Sequence, residues 1–115
     1  MREAVRDKGR IEHIVQAIDN VAKFIEGVTF EEFCKDQMMF FAVVKNIEII
    51  GEAANKLTKE LRNQHPEVEW DVIIGMRHVL VHDYYNIKPA LAWFTATTNL
   101  PEVRPLMLSI LKELQ

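Results

Sequence analysis

The sequence predicts an all-α fold, an up-and-down antiparallel bundle of amphipathic helices. Apolar residues recur at alternating intervals of three and four along most of the chain, which is the spacing of one helix face. No stretch shows convincing alternation of apolar and polar residues, and no Asn-Gly or Asp-Gly pair signals a hairpin. The breaks between periodic segments are short, so consecutive helices are expected to pack as antiparallel neighbours.

The first half of the chain predicts two longer helices separated by a short one. An apolar stripe from Ile11 onward gives the first helix, and Gly27 is expected to end it. Thr29, with Glu32 three residues later, is a capping-box pattern that starts the short helix, and Asp36 is expected to cap the next one. The stripe of that next helix runs without a break over about six turns. Its members are Phe40, Val43, Ile47, Ile50, Ala54, Leu57 and Leu61.

The second half predicts three further helices. One begins near Trp70, and another restarts at Lys88-Pro89 because proline suits the first helical position. The segment Asn99-Leu100-Pro101 is expected to interrupt the helical structure before a closing helix. Because Pro105 follows shortly after, the sequence does not fix the residue at which the closing helix starts. Trp70 and Trp93 fall beside apolar stripes and are expected to be core or interface aromatics.

Length and composition set limits on the class of protein. A chain of 115 residues can bury one modest core, so residues 1–115 are interpreted as one domain. The longest apolar run is too short to span a bilayer, and the charged N-terminus lacks the apolar core of a signal peptide, so a cytoplasmic protein is expected. The single cysteine, Cys34, is expected to be a small buried hydrophobe. Because the net charge is −3, any RNA must be held by a local cationic cluster.

One segment, residues 75–85, concentrates reactive side chains between apolar ones. RNA cleavage without a metal needs a base for the ribose 2′-hydroxyl, an acid for the leaving oxygen and a cation for the phosphate. His82 can supply the proton transfer and Arg77 the fixed charge, with His78 as a second polar contact. On a regular helix Arg77 and His82 lie about 140° apart. They can meet one substrate if the helix ends near His82, if the Arg77 side chain reaches around, or if a second copy faces this helix.

Simpler interpretations of the same residues also fit the pattern. His82 could be a capping residue and Arg77 a partner in a surface ion pair, because short combinations of Arg, His and Tyr arise often by chance. His78 and His82 have the spacing of metal ligands, but no His-Glu-x-x-His pattern and no obvious third ligand accompany them, so no metal site and no cofactor are expected.

Several motifs spread along the chain resemble the HEPN superfamily and, within it, the HepT-like branch. They are the start near Asp7, Phe33 before the long helix, Ile49 to Ala54, Pro66 with Trp70, Met76-Arg77 leading to Leu80 through Tyr84, and Leu100-Pro101. The chain departs from the family pattern in having His78 where asparagine is common, and Lys88 where an acidic cap is common.

The resemblance implies a metal-independent endoribonuclease toxin. It implies a homodimer in which Arg77 and His82 of both subunits line a composite cleft that binds RNA. It further implies a nucleotidyltransferase antitoxin of the MntA kind, which transfers AMP from ATP onto Tyr84. Glu52 is expected to orient Arg77 as a supporting carboxylate, although a solvent-facing helix former is the simpler interpretation. The alternative function is a non-catalytic subunit that pairs with a nucleotidyltransferase and presents nucleotide or target to it.

Overall fold

Helices account for nearly all of the structure, a computed structural model that describes the backbone of residues 2–82 and 87–115 and the side chains of residues 6–76 and 87–115. Within these ranges no residue forms a strand, which confirms the predicted all-α class. The described helices are α1 (Arg2–Ile25), α2 (Phe30–Lys35), α3 (Gln37–Asn55), α4 (Lys59–Gln64), α5 (Trp70–His82), α6 (Pro89–Phe94) and α7 (Leu100–Leu114), with a π-helical segment (Thr95–Asn99) between the last two.

The turn from α1 to α3 follows the sequence signals. Gly27 has a φ of 72°, the left-handed conformation that glycine adopts without steric cost, and α1 ends just before it. The Thr29 hydroxyl accepts the Glu32 backbone N–H at 3.1 Å, and the Glu32 carboxylate accepts the Thr29 N–H at 2.9 Å. Asp36 caps α3 by accepting the Met39 N–H at 3.0 Å. The predicted capping box and the predicted aspartate cap are both confirmed.

The prediction of one uninterrupted helix through Leu61 is wrong, because α3 ends at Asn55 and α4 starts at Lys59. The break is held by α1. The buried Asp7 carboxylate accepts both the N–H (3.1 Å) and the hydroxyl (2.7 Å) of Thr58, whose oxygen also caps α4. Arg10 donates to the carbonyl of Lys56 at 2.6 Å. These contacts satisfy backbone groups that a continuous helix would have paired internally.

The predicted break at Asn99-Leu100-Pro101 is also wrong. The N–H of Leu100 donates to the carbonyl of Thr95, five residues earlier, and the chain passes through this wide turn directly into α7. Pro101 and Pro105 are both exposed and stand four residues apart inside α7. The donor that Pro105 lacks would have bonded the Pro101 carbonyl, so one helical hydrogen bond is lost on a face that water can solvate.

The core lies around α3, which packs most extensively against α1 and α5, while α7 packs against α1. Side chains of α1 and α3 supply most of the fully buried apolar volume. Trp70 is buried, and the ring of Trp93 lies 5.1 Å from that of Phe33, so both tryptophans pack in or beside the core as predicted. Cys34 is exposed, which corrects the expectation of a buried thiol: its neighbour Phe33 is the α2 residue that enters the core.

Among the described residues, no helix is long and apolar enough to cross a membrane.

Candidate functional site

Helix α5 carries the Arg-x4-His segment. Its backbone is helical at Arg77, His78 and His82, so the first and last of these are separated by about 7.5 Å along the axis and about 140° around it. The predicted divergence of Arg77 and His82 on one regular helix therefore holds for the backbone of this protein. Tyr84 lies outside the described residues, and the described side chains end at Met76 and resume at Ile87.

The first residue of α5 anchors the helix to the preceding loop. The Trp70 indole donates its Nε1–H to the carbonyl of His65 at 3.0 Å, and the Trp70 backbone N–H donates to the carbonyl of Val68 at 2.9 Å. Trp70 as a whole is only 7% exposed. Ile73 and Met76 follow on the side of α5 that packs against the core. A buried aromatic with a satisfied polar atom thus fixes the start and the direction of the motif-bearing helix.

His65 connects this loop to the C-terminal helix. Its Nδ1 lies 3.1 Å from a carboxylate oxygen of Glu67, and its Nε2 lies 3.1 Å from one of Glu113 in α7. Only the protonated imidazolium can donate to both carboxylates at once. The pKa of Glu67 lies below its usual value, mainly because its own backbone N–H hydrogen bonds to the carboxylate and also because of the His65 ring. His65 therefore ties α7 to the loop that precedes α5.

Glu52, the predicted supporting carboxylate, lies on the exposed side of α3. Its carboxylate is 3.4 Å from the ammonium of Lys56, one turn later, and its side chain is 48% exposed. It shares a shallow surface pocket with Arg10 and His13 of α1. The described contact of Glu52 is thus with a lysine of its own helix. A contact between Glu52 and Arg77 stays a prediction.

A groove runs along α5 on its way to the motif. It has a volume of about 260 Å³ and lies between α3, α5 and α7, with Met76, the residue before Arg77, among its lining residues. The groove could not be predicted from the sequence because its lining comes from three separate segments of the chain. A signal in the sequence is Val72, an apolar residue two positions after Trp70, and the structure shows it to be 54% exposed.

The described side chains contain no group of three His, Cys, Asp or Glu residues that could hold a metal ion. In particular, both ring nitrogens of His65 face carboxylate oxygens as ion-pair partners. The described residues therefore include polar contacts that position α5, and a surface pocket on α1 and α3 that is lined by Arg10 and Lys56.

Comparison with known proteins identifies the family. The family model "Ribonuclease HepT-like" matches residues 14–110, a range that includes Glu52, Arg77, His78, His82 and Tyr84. A protein of Caldanaerobacter subterraneus subsp. tengcongensis, named "Putative RNase", is 37% identical over 103 residues, which are 90% of this chain and 92% of the relative. A protein of Thermococcus cleftensis, named "Probable ribonuclease HepT", is 32% identical over 97 residues, 84% of this chain and 88% of the relative.

A Methanocaldococcus jannaschii protein, also named "Putative RNase", is 30% identical over 102 residues, 89% of this chain and 84% of the relative. No solved structure matches the chain. The family model covers most of the sequence and the relatives align over most of their own length, as the motif resemblance predicted. The chain belongs to the ribonuclease HepT-like family.

Proposed function

We propose that this chain is a metal-independent endoribonuclease that acts as a homodimer and as the toxin of a toxin–antitoxin pair, with residues 1–115 forming one domain. The observation that carries the proposal is the family match over residues 14–110, in which both Arg77 and His82 are present on one helix. The relatives named as ribonucleases support the same substrate class.

The proposed reaction is an attack of the ribose 2′-oxygen on the adjacent phosphorus. His82 accepts the 2′-hydroxyl proton or delivers a proton to the leaving 5′-oxygen, because an imidazole titrates near neutral pH. The phosphorus–5′-oxygen bond breaks as the new bond forms, which leaves a cyclic phosphate and a 5′-hydroxyl. Arg77 stays charged throughout and stabilises the crowded phosphate oxygens. His78 is proposed as a further polar contact to the substrate, and Glu52 as a supporting residue.

The geometry of α5 supports the proposed dimer. Because positions 77 and 82 diverge by about 140° on this helix, an Arg77 from one subunit and a His82 from the other can approach one phosphate more directly than a pair from one chain. Leu91 and Phe94, on the next described helix after the motif, are 47% and 54% exposed and stand three residues apart on one face. Two exposed apolar side chains on the helix that follows the motif in the sequence support a subunit contact.

Regulation is proposed to act on Tyr84. An antitoxin nucleotidyltransferase would transfer AMP from ATP to the Tyr84 hydroxyl, with the tyrosine oxygen displacing pyrophosphate. The added phosphate brings negative charge next to Arg77 and His82 and occupies the place of an RNA phosphate. Modification at this position would therefore switch off cleavage without any change in the fold.

The ribonuclease proposal is tested with purified protein and a mixed RNA substrate in the presence of EDTA. We expect cleavage by the wild-type chain, and a loss of about 100-fold or more in His82→Ala and Arg77→Ala. Lys23→Ala, which removes an exposed cationic side chain in the last turn of α1, serves as the control and should cleave normally. Thermal melts confirm that each variant folds. Absence of cleavage by a folded wild-type chain would favour the alternative of a non-catalytic subunit paired with a nucleotidyltransferase.

The roles of His78 and Glu52 are tested in the same assay. We expect His78→Asn to keep most of the activity, because asparagine preserves a polar side chain, whereas His78→Ala should lose more. Glu52→Gln should lower the rate only if the carboxylate supports Arg77. An unchanged rate in Glu52→Gln would assign this residue to the surface ion pair with Lys56 alone.

The modification proposal is tested by co-expression with a nucleotidyltransferase of the MntA kind, followed by intact-mass analysis. AMP-sized additions to the wild-type chain should disappear in Tyr84→Phe, and should be retained in a control that replaces the other motif tyrosine, Tyr85→Phe. AMP found on Tyr84→Phe would contradict the assignment of the acceptor.

A further inference from the structure

The groove along α5 is apolar inside. Ile47 and Ile50 of α3 and Leu100 of α7 form its buried floor, while Val72, Val103 and Leu106 supply its walls. The α7 side extends from Asn99 to Leu106, a rise of about 10 Å or two helical turns. An open apolar groove of this length, set between helices, is the usual receptor for the apolar face of another helix.

The rim of the groove is acidic. Glu67 and Glu69 stand on the α5 side and Glu102 on the α7 side, and the lining residues whose side chains the structure describes include no lysine or arginine. Glu67 is already paired with His65. Glu69 and Glu102 are exposed, and neither has an ion-pair partner among the side chains that the structure describes. Two exposed carboxylates without a described ion-pair partner therefore line a groove whose floor is apolar.

The rim charge selects the occupant. RNA is disfavoured because its phosphates would meet Glu69 and Glu102. A second copy of this chain is disfavoured because a two-fold contact of this groove with itself would gather the Glu69 and Glu102 carboxylates of both copies in one interface. The complementary surface is apolar in the middle and positively charged at both edges.

We propose that this groove binds an amphipathic helix of a different protein, with apolar side chains on the floor and lysine or arginine side chains against Glu69 and Glu102. Two turns of groove accommodate apolar anchors at positions i, i+4 and i+7 of the bound helix. Because Met76 lines the groove and Arg77 follows it, the bound helix would lie beside the catalytic segment. The proposal does not depend on ribonuclease activity.

The test uses two synthetic helical peptides with identical leucine positions. One carries lysines beside the leucines, and the other carries glutamates at the same places. Binding to the full, isotope-labelled chain is followed by NMR titration and by fluorescence anisotropy. We expect the lysine peptide to bind, with shifts centred on Ile47, Val72, Met76 and Val103, and to lose affinity as salt is raised. The glutamate peptide should not bind.

Variants then separate the charge contribution from the apolar one. The pair E69Q/E102Q should weaken binding of the lysine peptide by about three- to tenfold, the range expected for two exposed ion pairs. The matched control E12Q/E26Q makes the same change in net charge by removing two exposed carboxylates outside the groove, one on α1 and one in the turn after it. This control should bind the lysine peptide as the wild type does. Val72→Asp, at an exposed wall position, should abolish binding while the chain stays folded by circular dichroism.

Three results would overturn the proposal. The first is a lysine peptide that fails to bind, or that binds E69Q/E102Q as tightly as the wild type. The second is equal binding of the two peptides, which would show that the rim charges do not select the partner. The third is a wild-type dimer that Val72→Asp converts to a monomer, which would assign the groove to a second copy of this chain.

Discussion

Replacing Asp7 with alanine should destabilise the protein far more than the loss of an ordinary helix cap. Asp7 is 4% exposed and accepts two hydrogen bonds from Thr58, one from the backbone N–H and one from the hydroxyl. A hydrogen bond to a charged group contributes about 1.5–3 kcal/mol, and the variant leaves both Thr58 donors without a partner. Removing the carboxylate also removes its desolvation cost, so the net loss of stability is expected near the lower end of the sum for two such hydrogen bonds, about 3 kcal/mol.

The assay is urea unfolding followed by circular dichroism. With a denaturant slope of about 1.5 kcal/mol per M, the loss corresponds to a midpoint lower by about 2 M. Asp36→Ala is the matched control, because Asp36 is exposed and accepts one N–H, from Met39. That variant should lose about 1 kcal/mol.

A double-mutant cycle with Thr58→Ala tests the pairing itself. Each single variant strands the partner of the other, so the double variant should lose about 1–3 kcal/mol less than the sum of the two single losses. Additive losses, or an Asp7→Ala loss no larger than that of Asp36→Ala, would refute the reasoning that the Asp7 carboxylate holds the break between α3 and α4.

Three further predictions concern the turns and the α5 anchor. The pKa of Glu32 is lowered, chiefly by the Thr29 backbone N–H, so the contribution of Glu32 to stability should be present above the ordinary value of 4.5 and lost as the pH falls through the folded pKa. The difference in melting temperature between the wild type and Glu32→Gln should therefore shrink as the pH is lowered through that range. Gly27→Ala should lose about 1 kcal/mol in urea unfolding because of the positive φ, with Gly27→Asn losing less. Trp70→Phe, which deletes the donor to the His65 carbonyl, should lose about 1–2 kcal/mol, and an unchanged urea midpoint would contradict the anchoring role.

Local signals predicted the parts of the fold that local chemistry determines. Thr29 with Glu32, and Asp36 before α3, act on N–H groups within three residues, so their sequence spacing is sufficient to identify them. The break after α3 depends on Asp7, which is 51 residues from Thr58 in the chain. The apolar spacing through Leu57 and Leu61 continues across that break, so a prediction based on periodicity alone treats α3 and α4 as one helix.

The candidate site shows the same division. Arg77 and His82 could be singled out from the residue types in one short segment, and the family match includes both of them. The contacts that position their helix could not, because His65, Glu113 and Trp70 meet only in the folded chain. The exposure of Cys34 was also missed, since a six-residue helix such as α2 buries a single residue, and composition does not say which.

The break between α3 and α4, which the apolar periodicity does not reveal, has a direct consequence for the motif. A continuous helix through Leu61 would have carried the chain about 9 Å farther along the α3 axis before turning back. The break at Thr58 instead lets α4 turn, and the chain returns so that Val72 and Met76 face the groove beside Ile47 and Ile50 of α3. The polar contacts of Asp7 with Thr58 and of Trp70 with His65 therefore determine the position along α3 at which α5 packs. In this family member, the placement of the Arg-x4-His motif rests on hydrogen bonds made by residues far from it in the sequence.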